Sequence, residues 1–149
     1  MNGGPEPGTP VKPLPDVDDP VAGPFWAAAA RGWLTAQRCP ACAQLRWPPA
    51  PICPECLAPG GEWARLSGLG TVWSVAVYHR AFHPGFAAEL PYAVLLVELD
   101  EGPKLISNLV GDPRAARIGQ RVRAVFDQVS ERVTLVKFQT VPDEEIGKR

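Results

Sequence analysis

Hydrophobic residues in the second half of the chain follow the period of β-strands rather than that of helices. GTVWSVAVYH (residues 70–79) alternates, which predicts Trp73 and Val75 on one face of a strand and Ser74 on the other. YAVLLVEL (92–99) is a continuous apolar run, which predicts a strand that is covered on both faces.

Three further β-rich segments follow these two. DEGP, with Gly102 and Pro103, is a turn signal and predicts a hairpin between the second strand and the third. The further segments are KLISNLVG (104–111), QRVRAVFDQV (120–129) and RVTLVKFQTV (132–141). Five strands within about 80 residues are typical of a small Greek-key barrel such as an OB fold.

A helical pattern precedes the strands, in VAGPFWAAAARGWLTAQ (21–37). Pro24 suits a first helical turn, four consecutive alanines favour a helix, and Gly32 suits its end. The sequence therefore predicts an N-terminal helical segment over residues 21–37. A helix this short is marginal alone, so its aromatic side chains pack either on this chain's own ribbon and barrel or on another protein.

All four cysteines lie in one stretch, CPACAQLRWPPAPICPECLAPGGEW (39–63), with the spacing C-x2-C-x10-C-x2-C. Each two-residue spacer lets a tight turn direct both sulfurs to one point, and two such turns supply a tetrahedral zinc ion with four thiolates. Four sulfur ligands leave no position for water or substrate, so we predict one structural zinc ion per chain. The predicted ligands are Cys39, Cys42, Cys53 and Cys56.

Two other chemistries remain open for the cysteines. Iron bound by four thiolates, as in rubredoxin, suits the same tetrahedral geometry. A dithiol redox role is disfavoured, because neither pair opens a thioredoxin-like βαβ unit.

The elements together predict a mainly β protein with a short N-terminal helix, in which a rubredoxin-like zinc ribbon precedes a five-stranded OB-fold barrel. Residues 1–20 mix glycine, proline and acids without an aromatic residue, which predicts a flexible or extended tail. The predicted divisions are a tail at 1–20, the helical segment at 21–37, the ribbon at 38–62, the barrel at 63–141 and a C-terminal tail at 142–149.

Composition narrows the class of protein. The 149 residues carry a net charge of −1, which argues against broad electrostatic affinity for nucleic acid or anionic membranes. No apolar run approaches the ~20 residues that span a bilayer, and the N-terminus lacks the basic start and apolar stretch of a signal peptide. We therefore expect a cytoplasmic location, where reducing conditions favour a metal over disulfides.

Both histidines lie in one long segment, YHRAFHPGFAAELPY (78–92). Pro84 disfavours the helix that would align His79 and His83 on one metal ion, so a second metal site is not expected. The segment is either a recognition or gating loop whose aromatic side chains contact a ligand or partner, or a solvated surface loop.

Self-contained catalysis is not expected from this sequence. It contains no G-x-S-x-G nucleophile motif and no glycine-rich phosphate loop, and zinc would occupy all of its cysteines. Asp100 and Glu101 fall in a predicted turn, where solvation explains them.

Several motifs together resemble those of the acyl-CoA-associated zinc-ribbon/OB-fold family, once classed as a domain of unknown function. The motifs are PFW...A..G.L..QRC..C...RWPP...CP.C, PY.V..VELDEGP.L.SNLVG and RIGQ.V...F, and the resemblance extends over residues 22–141. It implies a non-catalytic subunit whose partner is a thiolase-fold aldolase or thiolase. The family's metal positions match all four cysteines.

The resemblance also implies the chemistry of the partner. Members accompany thiolases and some acyl-CoA hydratases, and in bacterial steroid degradation such a domain joins a thiolase-like aldolase that cleaves a β-hydroxyacyl-CoA. We expect a heterotetramer around a partner dimer, with an acyl-CoA hydratase as a further possible partner, and no membrane or nucleic-acid partner.

Aromatic and proline residues outside the predicted barrel offer more apolar surface than a small monomer should expose. The residues that we expect to contact the partner are Phe25, Trp26, Trp33, Trp47, Pro49 and Phe82. The residues that we expect to border the partner's acyl-CoA channel are His79, His83 and Phe86.

The alternative function is a single-stranded nucleic-acid-binding module, because zinc ribbons and OB folds both serve in that role. Such a module needs a basic groove with stacking aromatic side chains. The basic residues that could line one face are Arg121, Arg123, Arg132 and Lys137.

Overall fold

A computed structural model describes residues 11–142 of the chain. Within these residues, one α-helix, α1 (Gly23–Ala30), precedes eight strands. The strands are β1 (Thr35–Arg38), β2 (Leu45–Arg46), β3 (Glu62–Arg65), β4 (Leu69–Tyr78), β5 (Tyr92–Leu99), β6 (Lys104–Asn108), β7 (Arg121–Gln128) and β8 (Thr134–Thr140). A short 3-10 helix at Pro84–Glu89 lies between β4 and β5.

The strands form two antiparallel sheets. The first has the order β2-β1-β3 and carries the cysteines in its connections, whereas the second has the order β6-β5-β4-β7-β8. The second sheet curls until its edges approach, since Leu109 bridges to Phe138 and the Ser107 hydroxyl donates a hydrogen bond to the Val136 carbonyl oxygen. The predicted fold class, a mainly β chain with a short N-terminal helix, a ribbon and a five-stranded barrel, is therefore confirmed, and the barrel is nearly closed.

Two details of the predicted strand faces are wrong. In β5 the buried residues alternate with half-buried ones, so this strand is fully covered on one face only. Trp73 is 55% exposed, because the pairing of β4 with β5 shifts between Val72 and Ser74. A β-bulge adds a residue to one strand and reverses the faces beyond it, so Trp73 does not share the half-buried side of Val75.

Helix α1 packs on this chain's own barrel and ribbon, through contacts with β1, β7 and β8. Asp19 caps the turn that precedes α1, as its Oδ1 accepts hydrogen bonds from the amides of Val21 (2.8 Å) and Ala22 (2.7 Å). The helix ends before Gly32, whose φ of +79° is favourable for glycine.

The ribbon sheet begins at Thr35 in β1, three residues before the predicted start of the ribbon at 38. It ends at Arg65 in β3, three residues after the predicted end at 62. The second half of the predicted helical segment thus includes a strand of the ribbon sheet. The division into domains stays a prediction. No helix among residues 11–142 is long and apolar enough to cross a membrane.

Residues 11–20 lie against the barrel. Lys12 Nζ lies 2.9 Å from a carboxylate oxygen of Glu89, and Arg132 Nη2 lies 2.6 Å from Oδ1 of Asp18. We call residues 11–20 the strap. Residues 1–10 and 143–149, which make up the rest of the predicted tails, lie outside the described residues.

Candidate metal centre and partner surface

The structure brings the four cysteine sulfurs together in a compact cluster. All four lie within 4.8 Å of one another, with 3.5 Å between Cys39 and Cys56 and 3.7 Å between Cys42 and Cys53. A tetrahedron with metal–sulfur distances of ~2.3 Å places its sulfurs about 3.8 Å apart. The four thiols therefore fit a tetrahedral metal ion bound by sulfur alone.

The first cysteine pair lies in a tight backbone turn. The Cys39 carbonyl oxygen accepts a hydrogen bond from the Ala43 amide, and the Cys39 amide donates to the Gln44 carbonyl oxygen, both at 2.9 Å. Ala43 has a φ of +63°, a left-handed conformation that closes the turn behind the second cysteine.

The second pair repeats this geometry. The Leu57 amide donates to the Cys53 carbonyl oxygen and the Cys53 amide donates to the Ala58 carbonyl oxygen, again at 2.9 Å. Leu57 also has a φ of +63°. Two equivalent turns thus present two sulfurs each, as the spacing in the sequence predicted.

Backbone amides favour the thiolate form of the buried cysteines. The amides of Cys42 and Ala41 point at the Cys39 sulfur, at 3.5 and 3.4 Å, and lower the pKa of Cys39 to about 6. The Cys56 amide in the same way lowers the pKa of Cys53. Because metals bind thiolates, these amides prepare both sulfurs for ligation.

Arg46 connects the second turn to the ribbon sheet. Its side chain is buried, and Nη2 donates 2.7 Å hydrogen bonds to the carbonyl oxygens of Ala50 and Gly60. The Ala50 amide donates to Oε1 of Gln37 at 2.8 Å. These contacts hold the base of the loop that carries Cys53. Our reading of the sequence missed them, since no local motif marks an arginine that bonds to two distant carbonyls.

Four of the predicted partner-contact residues meet at one hollow. Trp26, Trp47 and Pro49 line a depression of about 350 Å³ between α1 and the ribbon. Phe25 is 2% exposed and lies beneath them, with ring centroids 5.0 Å from Trp26 and 5.6 Å from Trp47. Its ring therefore packs mainly in the core and supports the hollow from below, and contact of Phe25 with a partner stays a prediction.

The other two predicted partner-contact residues, Trp33 and Phe82, lie outside this hollow. Trp33 is half-buried, and the guanidinium groups of Arg31 and Arg65 lie 4.2 and 4.7 Å from its ring centroid. Phe82 is 78% exposed in the β4–β5 loop, where its ring meets Tyr78 edge to face.

The predicted channel residues lie in the same loop but are not equivalent. His79 and His83 are exposed, and Nδ1 of His83 accepts a hydrogen bond from the Gly85 amide at 3.0 Å. Phe86 is half-buried and lines a cavity of about 380 Å³ together with Trp26 and Trp47. The loop and the aromatic hollow therefore meet at one cavity.

In the part of the chain that the structure describes, potential metal ligands cluster in the ribbon. Within residues 11–142, the four cysteines are the one group of three or more cysteine, histidine or acidic side chains that could hold a metal ion.

The basic residues of the alternative function are not a free cationic face. Arg121 forms a two-pronged ion pair with Asp100, at 2.6 and 2.8 Å, which raises the pKa of Arg121. Arg132 pairs with Asp18, and Lys137 pairs with Asp127 at 2.6 Å. Carboxylates thus neutralise three of the four cations that were expected to line a nucleic-acid groove.

The fold and the cysteine cluster define a protein with a rubredoxin-like ribbon and an OB-fold barrel. Residues 26–60 match the family model described as ChsH2, rubredoxin-like zinc ribbon domain, and residues 63–127 match that described as ChsH2, C-terminal OB-fold domain. The chain belongs to this ChsH2/DUF35 family, which confirms the resemblance drawn from its motifs.

Its relatives differ in length. A DUF35 domain-containing scaffold protein of Methanothermobacter thermautotrophicus is 37% identical over 66% of this chain and 74% of its own length. A probable enoyl-CoA hydratase alpha subunit of Thermomonospora curvata is 41% identical over 91% of this chain. The Mycobacterium tuberculosis 3-oxo-4,17-pregnadiene-20-carboxyl-CoA hydratase alpha subunit is 36% identical over 68% of this chain. The chain spans 42% and 32%, respectively, of these hydratase subunits.

A solved structure is similar over nearly its whole chain. In the solved structure of the Ltp2-ChsH2(DUF35) aldolase, a chain is 37% identical to this one and superimposes with a TM-score of 0.75. The match covers 85% of this chain and 98% of that one. The chain therefore has the fold of a chain in that aldolase structure.

Proposed function

We propose that this chain is a non-catalytic accessory subunit that binds and supports a thiolase-fold enzyme acting on acyl-CoA thioesters. The partner that we rank first is an aldolase that cleaves a steroid side-chain β-hydroxyacyl-CoA, ahead of a thiolase. The observation that carries the proposal is the 37% identity to a chain of the Ltp2-ChsH2(DUF35) aldolase, over 98% of that chain. We expect the complex to be cytoplasmic and to be a heterotetramer around a partner dimer.

The metal of the proposed subunit is one structural zinc ion, held by Cys39, Cys42, Cys53 and Cys56. Four sulfurs complete a tetrahedron, so the ion has no open position at which it could activate water. Metal analysis of the purified protein should give one zinc per chain. Stoichiometric iron with a red thiolate absorption band would instead assign the site to iron.

The proposed contact surface is the hollow lined by Phe25, Trp26, Trp47 and Pro49, extended by Trp33 and Phe82. Half-buried tryptophans above a packed core suit the anchors of an interface, because rigid aromatic side chains carry much of the binding energy in such surfaces. Their position beside the Phe86 cavity supports a surface that extends from helix α1 to the loop.

Co-expression tests the assembly. The thiolase-fold proteins of the source organism are expressed one at a time, with and without this chain, and analysed by size-exclusion chromatography and thioester cleavage. We expect one of them to be soluble, monodisperse and active only with the chain. A partner that is monodisperse and fully active alone contradicts the proposal.

We further propose that His79, His83 and Phe86 border the acyl-CoA channel of the partner. The exposed imidazoles and the half-buried phenyl ring lie in one loop, next to the proposed contact surface. In the complex, His83→Ala and Phe86→Ala should lower kcat/KM for the thioester. Unchanged kcat/KM in both variants would leave the loop with a structural role alone.

A hydratase is a second candidate partner. Two relatives carry the name of hydratase alpha subunits, and each is longer than this chain. We propose that a hydratase-type protein can join the same complex. Hydration of an enoyl-CoA by co-expressed proteins, with and without this chain, distinguishes this partner from an aldolase.

The nucleic-acid alternative receives less support. Ion pairs occupy Arg121, Arg132 and Lys137, which weakens the case for a phosphate-binding groove built on these residues. Salt-dependent binding of single-stranded DNA or RNA by the purified chain would restore that alternative.

A further inference from the structure

A cleft runs along one side of the barrel. Its two parts, of about 530 and 380 Å³, share five lining residues from the β4–β5 loop, β5, β6 and β8. The shared residues are Phe86, Tyr92, Asn108, Leu135 and Lys137. We call this space the barrel cleft. Its size lies within the range of ~300–1,000 Å³ that small-molecule sites occupy.

Aromatic rings hold the walls of the cleft in place. The Tyr92 ring stacks on Tyr78, with centroids 5.3 Å apart and planes at 13°, and Phe86 contacts Tyr92 at 5.9 Å. The Lys12 ammonium lies 5.6 Å above the Phe86 ring and extends the wall towards the strap. The cleft is thus formed by side chains that already support one another.

Positive and negative side chains are present in equal number along the cleft. Its lining includes two cations and two carboxylates, which form the ion pairs Lys12–Glu89 at 2.9 Å and Lys137–Asp127 at 2.6 Å. Burying a charged ligand among apolar walls would leave that charge without a partner, which is costly. The cleft therefore favours an uncharged ligand.

Lys137 adds a specific polar contact. Its side chain is only 18% exposed and lines both parts of the cleft. An ammonium group has three donor hydrogens, of which Asp127 accepts one. The other two hydrogens can donate to the carbonyl oxygen of a ligand that lies where the two parts of the cleft meet.

We propose that the barrel cleft is a binding site for a neutral, largely apolar small molecule that carries a carbonyl oxygen, with Phe86 and Tyr92 along its apolar part and Lys137 at the oxygen. All lining residues of the cleft belong to this chain, and its smaller part also borders the proposed contact surface through Trp26 and Trp47. Binding to the isolated chain needs no partner, so this test can fail while the proposed function holds.

Prodan, a neutral naphthyl ketone dye whose emission shifts to the blue on burial, is the probe. Titrated with the full-length, metal-loaded chain, it should show saturable one-to-one binding. The anionic dye ANS should bind about tenfold more weakly, because its sulfonate finds no free cation in the cleft. Absence of saturable prodan binding, or equal affinity for ANS, would overturn the proposal.

Two phenylalanines of one loop provide a matched pair. Phe86→Ala should weaken prodan binding about tenfold, since it removes a wall of the cleft. Phe82→Ala should leave affinity unchanged, because Phe82 is exposed outside the cleft. Equal effects of the two substitutions would show binding at the exposed loop and overturn the proposal.

Lys137→Met tests the polar contact. The substitution should weaken the binding of prodan about fivefold more than it weakens the binding of the same dye without its carbonyl group. That difference is expected for one lost hydrogen bond. The control Lys104→Met removes an ammonium group that lies over the Trp73 ring, outside the cleft. It should change the affinity for neither dye. Equal loss for both dyes in Lys137→Met would refute the carbonyl contact.

Discussion

Arg46 of strand β2 donates a 2.7 Å hydrogen bond to the carbonyl oxygen of Gly60, at the far end of the loop that carries the second cysteine pair. The same nitrogen also bonds to Ala50, at the near end of that loop. One buried guanidinium thus closes a loop that has few apolar residues to hold it. The position of Cys53 and Cys56 therefore depends on a residue that does not touch the metal.

Arg46→Met should lower the stability of the ribbon and its affinity for the metal without altering the four ligands. The methionine fills part of the space but leaves the two carbonyl oxygens without their donor, at a cost of about 2 kcal/mol in the free energy of unfolding. Chemical denaturation measures that cost, and chelator competition measures the metal affinity, which should fall.

Arg38→Met is the matched control, because Arg38 is exposed on the neighbouring strand β1. It should change stability by less than about 0.5 kcal/mol. Equal effects of the two substitutions would refute the role assigned to Arg46.

Removal of the metal by a chelator should unfold the ribbon and spare the barrel. The ribbon has only short strands, whereas the barrel has its own core that includes Leu95, Val122 and Phe138. Hydrogen exchange should show lost protection at residues 39–60 and retained protection in β4, β5 and β7. Uniform loss across both sheets would mean that the metal stabilises the whole chain.

Gly85→Ala should detach the strap. A Cβ atom at Gly85 would lie 2.9 Å from the backbone nitrogen and Cα of Lys12, closer than such atoms approach, so the strap must move. Amide hydrogen exchange at residues 12–18 should accelerate, and the Lys12–Glu89 ion pair should be lost.

Lys12→Ala separates the backbone contact from the ion pair. Both partners of that pair are more than a third exposed, so its loss should change stability by no more than about 1 kcal/mol and leave the strap in place. If Lys12→Ala detaches the strap as fully as Gly85→Ala does, the ion pair rather than the close backbone contact holds it.

The main architecture could be predicted because it depends on local signals. The two-residue period of the strands and the paired cysteine spacing are both visible within short stretches of sequence. The aromatic segment before the ribbon was also recognised as an element that must pack on something, and α1 packs on the barrel.

The details that escaped prediction depend on contacts between distant residues. Trp73 changes face through a β-bulge that nothing in the alternating pattern marks. Phe25 and Trp26 are adjacent aromatic residues, yet only the packing of α1 decides that Phe25 is buried and Trp26 half-buried. The contact of Lys12 with Gly85 joins a proline-rich stretch to a loop far along the chain.

The double substitution Trp26→Ser/Trp47→Ser should abolish binding to the thiolase-fold partner, because both rings line the proposed contact hollow. Trp73→Ser removes a more exposed tryptophan from the barrel and is the matched control. Size-exclusion chromatography should show co-elution for the control and separate peaks for the double variant. Retained co-elution of the double variant would move the interface elsewhere.

The most direct test of the accessory-subunit account is a titration of the purified, metal-loaded chain into its thiolase-fold partner, with the rate of β-hydroxyacyl-CoA cleavage as the readout. The account predicts that the chain alone is inactive and that the rate rises with added chain and saturates at one chain per partner protomer. A partner whose cleavage rate is already maximal, and which does not respond to the chain, would contradict it.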